Sequence, residues 1–175
     1  MLEQAEYRRQ LKALSFETIW EQNGLDRDRL LQVCSNNDCM SIKIKPTNSR
    51  FPHPSPNRHR ANLSHIDIKI TYSRIYNEPV LYLRLWKSVP CSMSPDLEEL
   101  SPYYPSDVYE SLAIDKSQFT VELQHVECDA GANEVWYCVH PCDTQDRIGM
   151  LHREQYLSRW VSVYLLSWLP PAHRS

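Results

Sequence analysis

Glycine is scarce in this chain: its 175 residues include only Gly24, Gly131 and Gly149, far apart from one another. A phosphate-cradling loop or a dinucleotide fingerprint needs clustered glycines to bring backbone up to phosphate, which argues against a nucleotide cofactor held in either way. No apolar run approaches the roughly 18 residues of a membrane-spanning helix, which leaves at most peripheral contact with a membrane. An excess of positive charge is missing too. Nineteen basic residues against 22 acidic ones leave a net charge of −3, which makes no electrostatic case for nucleic acid. The amino terminus, Met1-Leu-Glu-Gln-Ala-Glu, is charged and has no apolar signal core, so a cytoplasmic protein is expected. In that compartment the cysteines at 34, 39, 91, 128, 138 and 142 should be reduced thiols rather than a disulfide framework.

What is present suits one soluble domain: 42% hydrophobic and 23% charged residues in a chain long enough to bury a core. Residues 3–22 read as one amphipathic helix, with Leu11, Leu14 and Thr18 at helical spacing and Asn23-Gly24 as its stop. Short strands are expected at 30–34 and 40–45. Residues 46–62, with Pro46, Pro52, Pro54 and Pro56, read as a flexible loop. Strands at 65–76 and 80–87 should form a hairpin over Asn77-Glu78-Pro79, followed by a proline-rich excursion at 88–106 with one helical turn near 96–100. A short helix at 106–112 and a second hairpin, 119–127 with 134–140, come next. Leu157, Trp160, Val161, Tyr164, Leu165 and Trp168 fall on one stripe of a closing helix that Pro170-Pro171 ends. The sum is an α+β domain, an antiparallel sheet of four to six strands flanked by N- and C-terminal helices.

The chemistry concentrates in Glu134-Val-Trp-Tyr-Cys-Val-His-Pro-Cys-Asp-Thr144. In an extended segment Trp136, Cys138 and His140 share one face, and Pro141 cannot donate to a ladder, so pairing should end there. That brings the Cys142 thiol to the rim of a sheet. Cys128 and Cys138 read as packed thiols, since free cysteine is among the most buried residue types. Zinc on Cys138, His140 and Cys142 with Cys128 or His125 is the weaker reading, because no C-x₂-C knuckle exists. Protease-like catalysis is weaker too, because a base two residues away on the same strand is badly placed. Carrying an acyl group as a thioester fits better. Thioester exchange is nearly balanced in energy, and a thiol of pKa about 8.5 already supplies a few per cent thiolate at neutral pH.

Trp136-Tyr-Cys-Val-His-Pro-Cys-Asp-Thr144 combines with Ile70-Thr-Tyr-Ser-Arg-Ile-Tyr-Asn-Glu-Pro79, Leu83-Arg-Leu-Trp86 and Arg159-Trp-Val-Ser-Val-Tyr-Leu-Leu-Ser-Trp-Leu169. Over about residues 64–169 these blocks resemble the autophagy-related protein ten family in its yeast form. These are the ubiquitin-conjugating-type enzymes of the first autophagy conjugation system. The resemblance implies a ubiquitin-conjugating-enzyme-like fold and a transferase with neither cofactor nor metal. It also implies that Cys142 accepts autophagy-related protein twelve from the activating enzyme, autophagy-related protein seven, and passes it to a lysine of autophagy-related protein five. Recruitment to the pre-autophagosomal structure is a further expectation. The alternatives are the lipid-conjugating enzyme of the second system, whose His-Pro-Cys is typically followed by basic and histidine residues rather than Asp143-Thr144, and a non-catalytic adaptor of the same fold.

Ordinary ubiquitin-conjugating enzymes place His-Pro-Asn several residues before the cysteine, the asparagine stabilising the oxyanion. Here His-Pro abuts Cys142 and that asparagine is missing. An unsupported oxyanion forfeits roughly 2.7–4 kcal/mol, so a substitute donor is expected. Tyr76 and Asn77 are the first candidates, Thr144 and Asn133 the next, with His140 in a structural or supporting part.

Overall fold

The computed structural model describes residues 2–46, 63–94, 97–127, 133–140, 148 and 153–169. The loop expected at 46–62 lies, from 47 onward, outside the described residues.

The architecture follows from a run of apolar side chains that alternate along four adjacent strands. β1 (Leu30–Ser35), β2 (Cys39–Ile44), β3 (Leu63–Ser73), β4 (Glu78–Pro90), β5 (Glu98–Tyr103), β6 (Val121–Glu127) and β7 (Asn133–Val139) form one antiparallel sheet ordered β1-β2-β3-β4-β7-β6, with β5 on β4. Register places Met40 beside Ile70, Ile70 beside Leu81 and Leu81 beside Val139; the next row is Ile42, Ile68, Leu83 and Tyr137. All are buried, and all face the helices. Each such side chain contributes about 1.5–3 kcal/mol relative to exposure.

Helices from both chain ends cover that face. α1 (Gln4–Ala13) supplies Tyr7 and Leu11, α2 (Phe16–Gln22) Phe16 and Trp20, and α4 (Tyr156–Tyr164) Leu157, Trp160, Val161 and Tyr164; α3 (Val108–Leu112) adds Val108 and Leu112. Trp160 and Tyr164 stack at 5.0 Å, with Phe119 edge-on to Tyr164. Buried Gln10 ties α1 to the start of α4. Its carbonyl accepts the Leu157 amide at 2.8 Å, one of the donors a helix start leaves unpaired, and its amide donates to the Arg153 carbonyl. The same amide donates to Glu6, whose carboxyl is held at about 2 by its bonds from Arg9 and Gln10.

Four expectations need correction. The single helix at 3–22 is two helices, because Leu14 and Ser15 are extended; the break turns Phe16, Ile19 and Trp20 into the core, which a continuous helix could not do while also burying Tyr7 and Leu11. The excursion contains a strand rather than a helical turn. β5 pairs with an extension of β4 that reaches Pro90, making seven strands instead of four to six. The first hairpin turns at 74–77, not 77–79, and Glu78 and Pro79 already belong to β4. The closing helix ends at Tyr164 and tightens into a 3-10 turn, Leu166–Trp168, where the Trp168 ring N–H donates to the Tyr164 carbonyl.

The other face of the sheet carries a second layer. Arg84 lies over Trp86 (4.5 Å) and Trp136 (5.7 Å) and pairs with Glu134 at 2.8 Å, while the Trp86 ring N–H donates to Asp67 at 2.6 Å. His65 stacks on Trp86, with Asp67 and Lys43 as its charged surroundings. Burial holds the His65 imidazole below its ordinary pKa, outweighing Asp67. An unfolded chain therefore takes up a proton near pH 6.5 that the folded one refuses, and stability falls as pH drops through that region. The melting temperature should decline on acidification from pH 7.5 to 5.5, and His65→Gln should flatten that decline. An unchanged pH profile in the variant would remove His65 as the cause.

Candidate active site

β7 runs from the β6–β7 turn to the rim and carries the residues singled out from sequence. Its odd positions, Tyr137 and Val139, enter the core, while Trp136 and Cys138 lie on the opposite face and are also buried. Cys138 sits opposite Tyr82 of β4 and Glu122 of β6, a packed thiol within the sheet. One residue beyond the strand, the His140 amide donates to the Thr120 carbonyl at 2.8 Å. Pro141, Cys142 and Thr144 lie outside the described residues.

His140 is held by two side chains from other elements. Its Nε2 is 3.2 Å from Glu122 Oε2, and the Tyr76 ring meets it edge-on at 6.3 Å between centroids. Tyr76 remains 45% exposed, so its hydroxyl is available to an incoming group. The Tyr82 phenol is pushed up by burial, with Cys138 and Tyr76 as smaller causes, which places these groups together on the outer face. Among the described residues no three His, Cys, Asp or Glu side chains gather as a metal site.

The turn carrying Tyr76 is built by the backbone of Asn77, whose φ of 52° is left-handed. Asparagine tolerates that region better than most residues. Two contacts hold it from the amino terminus: the Leu2 amide donates to the Asn77 carbonyl at 3.2 Å, and the Tyr72 hydroxyl lies 2.7 Å from the Leu2 carbonyl and 3.2 Å from Asn77 Oδ1. Immediately after the turn, buried Glu78 accepts a hydrogen bond from the Tyr156 hydroxyl.

The candidates therefore separate. Tyr76 and His140 come together at the rim. Asn77 adjoins them, its side-chain oxygen accepting from the Tyr72 hydroxyl and its backbone forming the left-handed turn. Asn133 opens β7 opposite Glu127, about 20 Å of strand away from His140 at about 3.3 Å per residue, and is not brought to the rim. Leu2, Glu78 and Tyr156 were missed from sequence, as was the part of Glu122 in holding His140; only the unusual placement of an acid between Asn77 and Pro79 could have flagged one of them.

An antiparallel sheet backed by both terminal helices is a ubiquitin-conjugating-enzyme-like architecture, and here β7 leads in sequence into His140-Pro141-Cys142. A solved structure described as the crystal structure of the autophagic E2, Atg10, matches it with a TM-score of 0.68 and 27% identity over 97% of both chains. The solution structures of KmAtg10 match at 0.63 with 20% identity over 97% of this chain and 99% of that one, a likeness of fold. Residues 4–172 match the family described as autophagocytosis associated protein, active-site domain, and the chain belongs to that family. Proteins named ubiquitin-like-conjugating enzyme ATG10 are similar along the sequence: that of Saccharomyces cerevisiae strain YJM789 is 31% identical over 97% of each chain. That of Candida glabrata is 36% identical over 118 residues, 63% of this chain and 70% of its own. The chain is accordingly a ubiquitin-like-conjugating enzyme of autophagy, a transferase that works with an activating enzyme and a ubiquitin-like modifier.

The two roles open to Asn77, backbone and side chain, can be separated. Asn77→Gly keeps the left-handed turn and should leave thermal stability near wild type, whereas Asn77→Ala adds strain of about 1 kcal/mol and should melt measurably lower. Equal melting temperatures for the two variants would show that φ at this position does not limit the turn.

Proposed function

We propose that this enzyme accepts autophagy-related protein twelve on Cys142 from autophagy-related protein seven and transfers it to a lysine of autophagy-related protein five. The observation that carries this reading is the fixed position of His140. Its backbone is tied to Thr120 and its ring to Glu122, so the residue two before Cys142 is anchored at the rim with the Tyr76 ring beside it. The chain-long similarity to enzymes named ATG10 supports the assignment to the first conjugation system.

In loading, the Cys142 thiolate attacks the carbonyl of the modifier's C-terminal thioester. The new sulfur–carbon bond forms as the old one breaks, and the activating enzyme leaves as thiolate. In transfer, the acceptor amine attacks that carbonyl, loses a proton, and the Cys142 thiolate departs. The second step is harder because an amine of pKa about 10.4 must be deprotonated. The donor to the oxyanion of that step is assigned to Tyr76, a reading supported by its ring contact with His140. β6 is an edge strand of the sheet, and an extended segment of the acceptor can add to it through backbone hydrogen bonds. Leu123, 53% exposed on β6, supplies an apolar contact for that segment.

The test is a conjugation assay with activating enzyme, modifier and ATP. Cys142→Ser should trap an oxyester that survives thiol reductant, and Cys142→Ala should form no adduct; a normal reducible thioester on the serine variant would assign the thiol elsewhere. Tyr76→Ala should load normally and slow conjugate formation about tenfold or more, since a positioned oxyanion donor contributes up to roughly 2.7–4 kcal/mol. Equal losses in both steps would point to a folding defect instead. Leu123→Asp should weaken acceptor pulldown without changing loading. Glu122 is unsuitable for that purpose, since its charge also holds His140. Undiminished acceptor binding by the folded variant would place docking elsewhere.

A further inference from the structure

The first residue of β4 and the first residue of α4 are 78 positions apart in sequence and joined by a buried hydrogen bond, the Tyr156 hydroxyl donating to Glu78. Both residues are nearly removed from solvent, at 4% and 7% exposure. The hairpin does not need this bond to close, because Ser73 pairs with Glu78 across a four-residue turn. Nor does the core need it. A buried acid costs free energy unless it is hydrogen-bonded, and apolar side chains of similar size pack such a place at least as well. A polar pair adds direction: it allows one arrangement of the two elements where an apolar contact allows several.

Each end of the bond is itself fixed. Tyr156 opens α4, whose second amide is held by the Gln10 side chain while the Arg153 carbonyl just before the helix accepts from the same residue. Glu78 follows Asn77 directly and stands two residues after Tyr76. On its other side the turn is tied to Leu2. The Tyr72 phenol is raised by burial, then by Glu78 and Glu3, so the carboxylate also lies near the hydroxyl that meets Leu2 and Asn77. The Tyr76 turn is thus held between the amino-terminal residues and the helix that follows the Cys142 segment in the chain.

We propose that Glu78 and Tyr156 are positioning residues for modifier transfer, their hydrogen bond fixing the 74–77 turn so that Tyr76 stands beside His140. This rests on the role given to Tyr76 above. Loading does not depend on the bond, because thioester exchange between two thiols makes little demand on a positioned donor. Aminolysis does, since its oxyanion needs the donor in place.

The experiment is a double-mutant cycle on the full chain. The enzyme is charged with the modifier, quenched, and followed as it discharges onto the acceptor, with loading measured separately. Tyr156→Phe removes one hydroxyl; it should load like wild type and discharge about tenfold more slowly, because small displacements of a positioned group are costly. Tyr76→Ala should show the same split, and the double variant should be no slower than Tyr76→Ala alone. Losses that multiply in the double variant, or a Tyr156→Phe enzyme that loses loading and discharge together, would make the pair merely structural and overturn the proposal. A Tyr76→Ala enzyme discharging at the wild-type rate would instead sink the role of Tyr76, and the positioning role with it. If Tyr156→Phe does not fold, Glu78→Gln decides, since it keeps an acceptor for the Tyr156 hydroxyl. Discharge close to wild type supports the hydrogen bond as the working contact, and a loss as large as that of Tyr76→Ala overturns it.

Discussion

The register of the four central strands is the constraint on which the rest of this molecule depends. Met40, Ile70, Leu81 and Val139 stand side by side, and so do Ile42, Ile68, Leu83 and Tyr137. Side chains alternate with a period of two, so a one-residue slip of β7 would carry Tyr137 and Val139 out of the core and push Trp136 and Cys138 into it. The same pairing decides where β7 stops. With Val139 in the core row and the His140 amide bonded to Thr120, His140 lies at the rim. Its backbone position is therefore a consequence of the strand register set by hydrophobic packing.

The helices reinforce that register from one side. α1 and α4 come from opposite ends of the sequence and meet over the sheet, joined by Gln10, and the Tyr7 hydroxyl donates to the Ile70 carbonyl at 3.2 Å. Leu2, at 1% exposure, brings the amino terminus to Asn77. Three separated parts of the chain thus converge on one four-residue turn. Such a turn, left alone, would sample several conformations, and Tyr76 at 45% exposure has little packing of its own to prevent it.

Much of this was legible from sequence where a local period existed. The runs of β3 and β4, the segment of β7 and the helical stripe of α4 were read near their observed places, as was the short helix α3, where the Asp107 carboxylate accepts the Glu110 amide. β5 was not legible, because its residues are exposed or half-buried with no alternation and Pro102 argues against a strand; it exists because β4 extends beside it. The break between α1 and α2 was hidden by Leu11, Leu14 and Thr18, which keep helical spacing across a bend that only the core requires. At the site, Tyr76 and His140 were named from motif and position. The contacts made by Glu122, Glu78, Tyr156 and Leu2 were not, since a hydrogen bond between residues far apart in sequence leaves no trace in either neighbourhood.

The division of labour within the site follows from the chemistry. A thioester carrier needs no dedicated base, and His140 is held in place by the Thr120 carbonyl and the Glu122 carboxylate. What the second step requires is a donor at a defined point and a lysine brought close to it, and both are questions of geometry. An asparagine upstream of the cysteine on its own segment would move whenever that segment moved. A tyrosine on a different hairpin, tied to α4 and to the amino terminus, is held independently of it. On the proposed assignment, the donor for the harder step is fixed by the sheet, by α4 and by the amino terminus rather than by residues next to Cys142 in sequence.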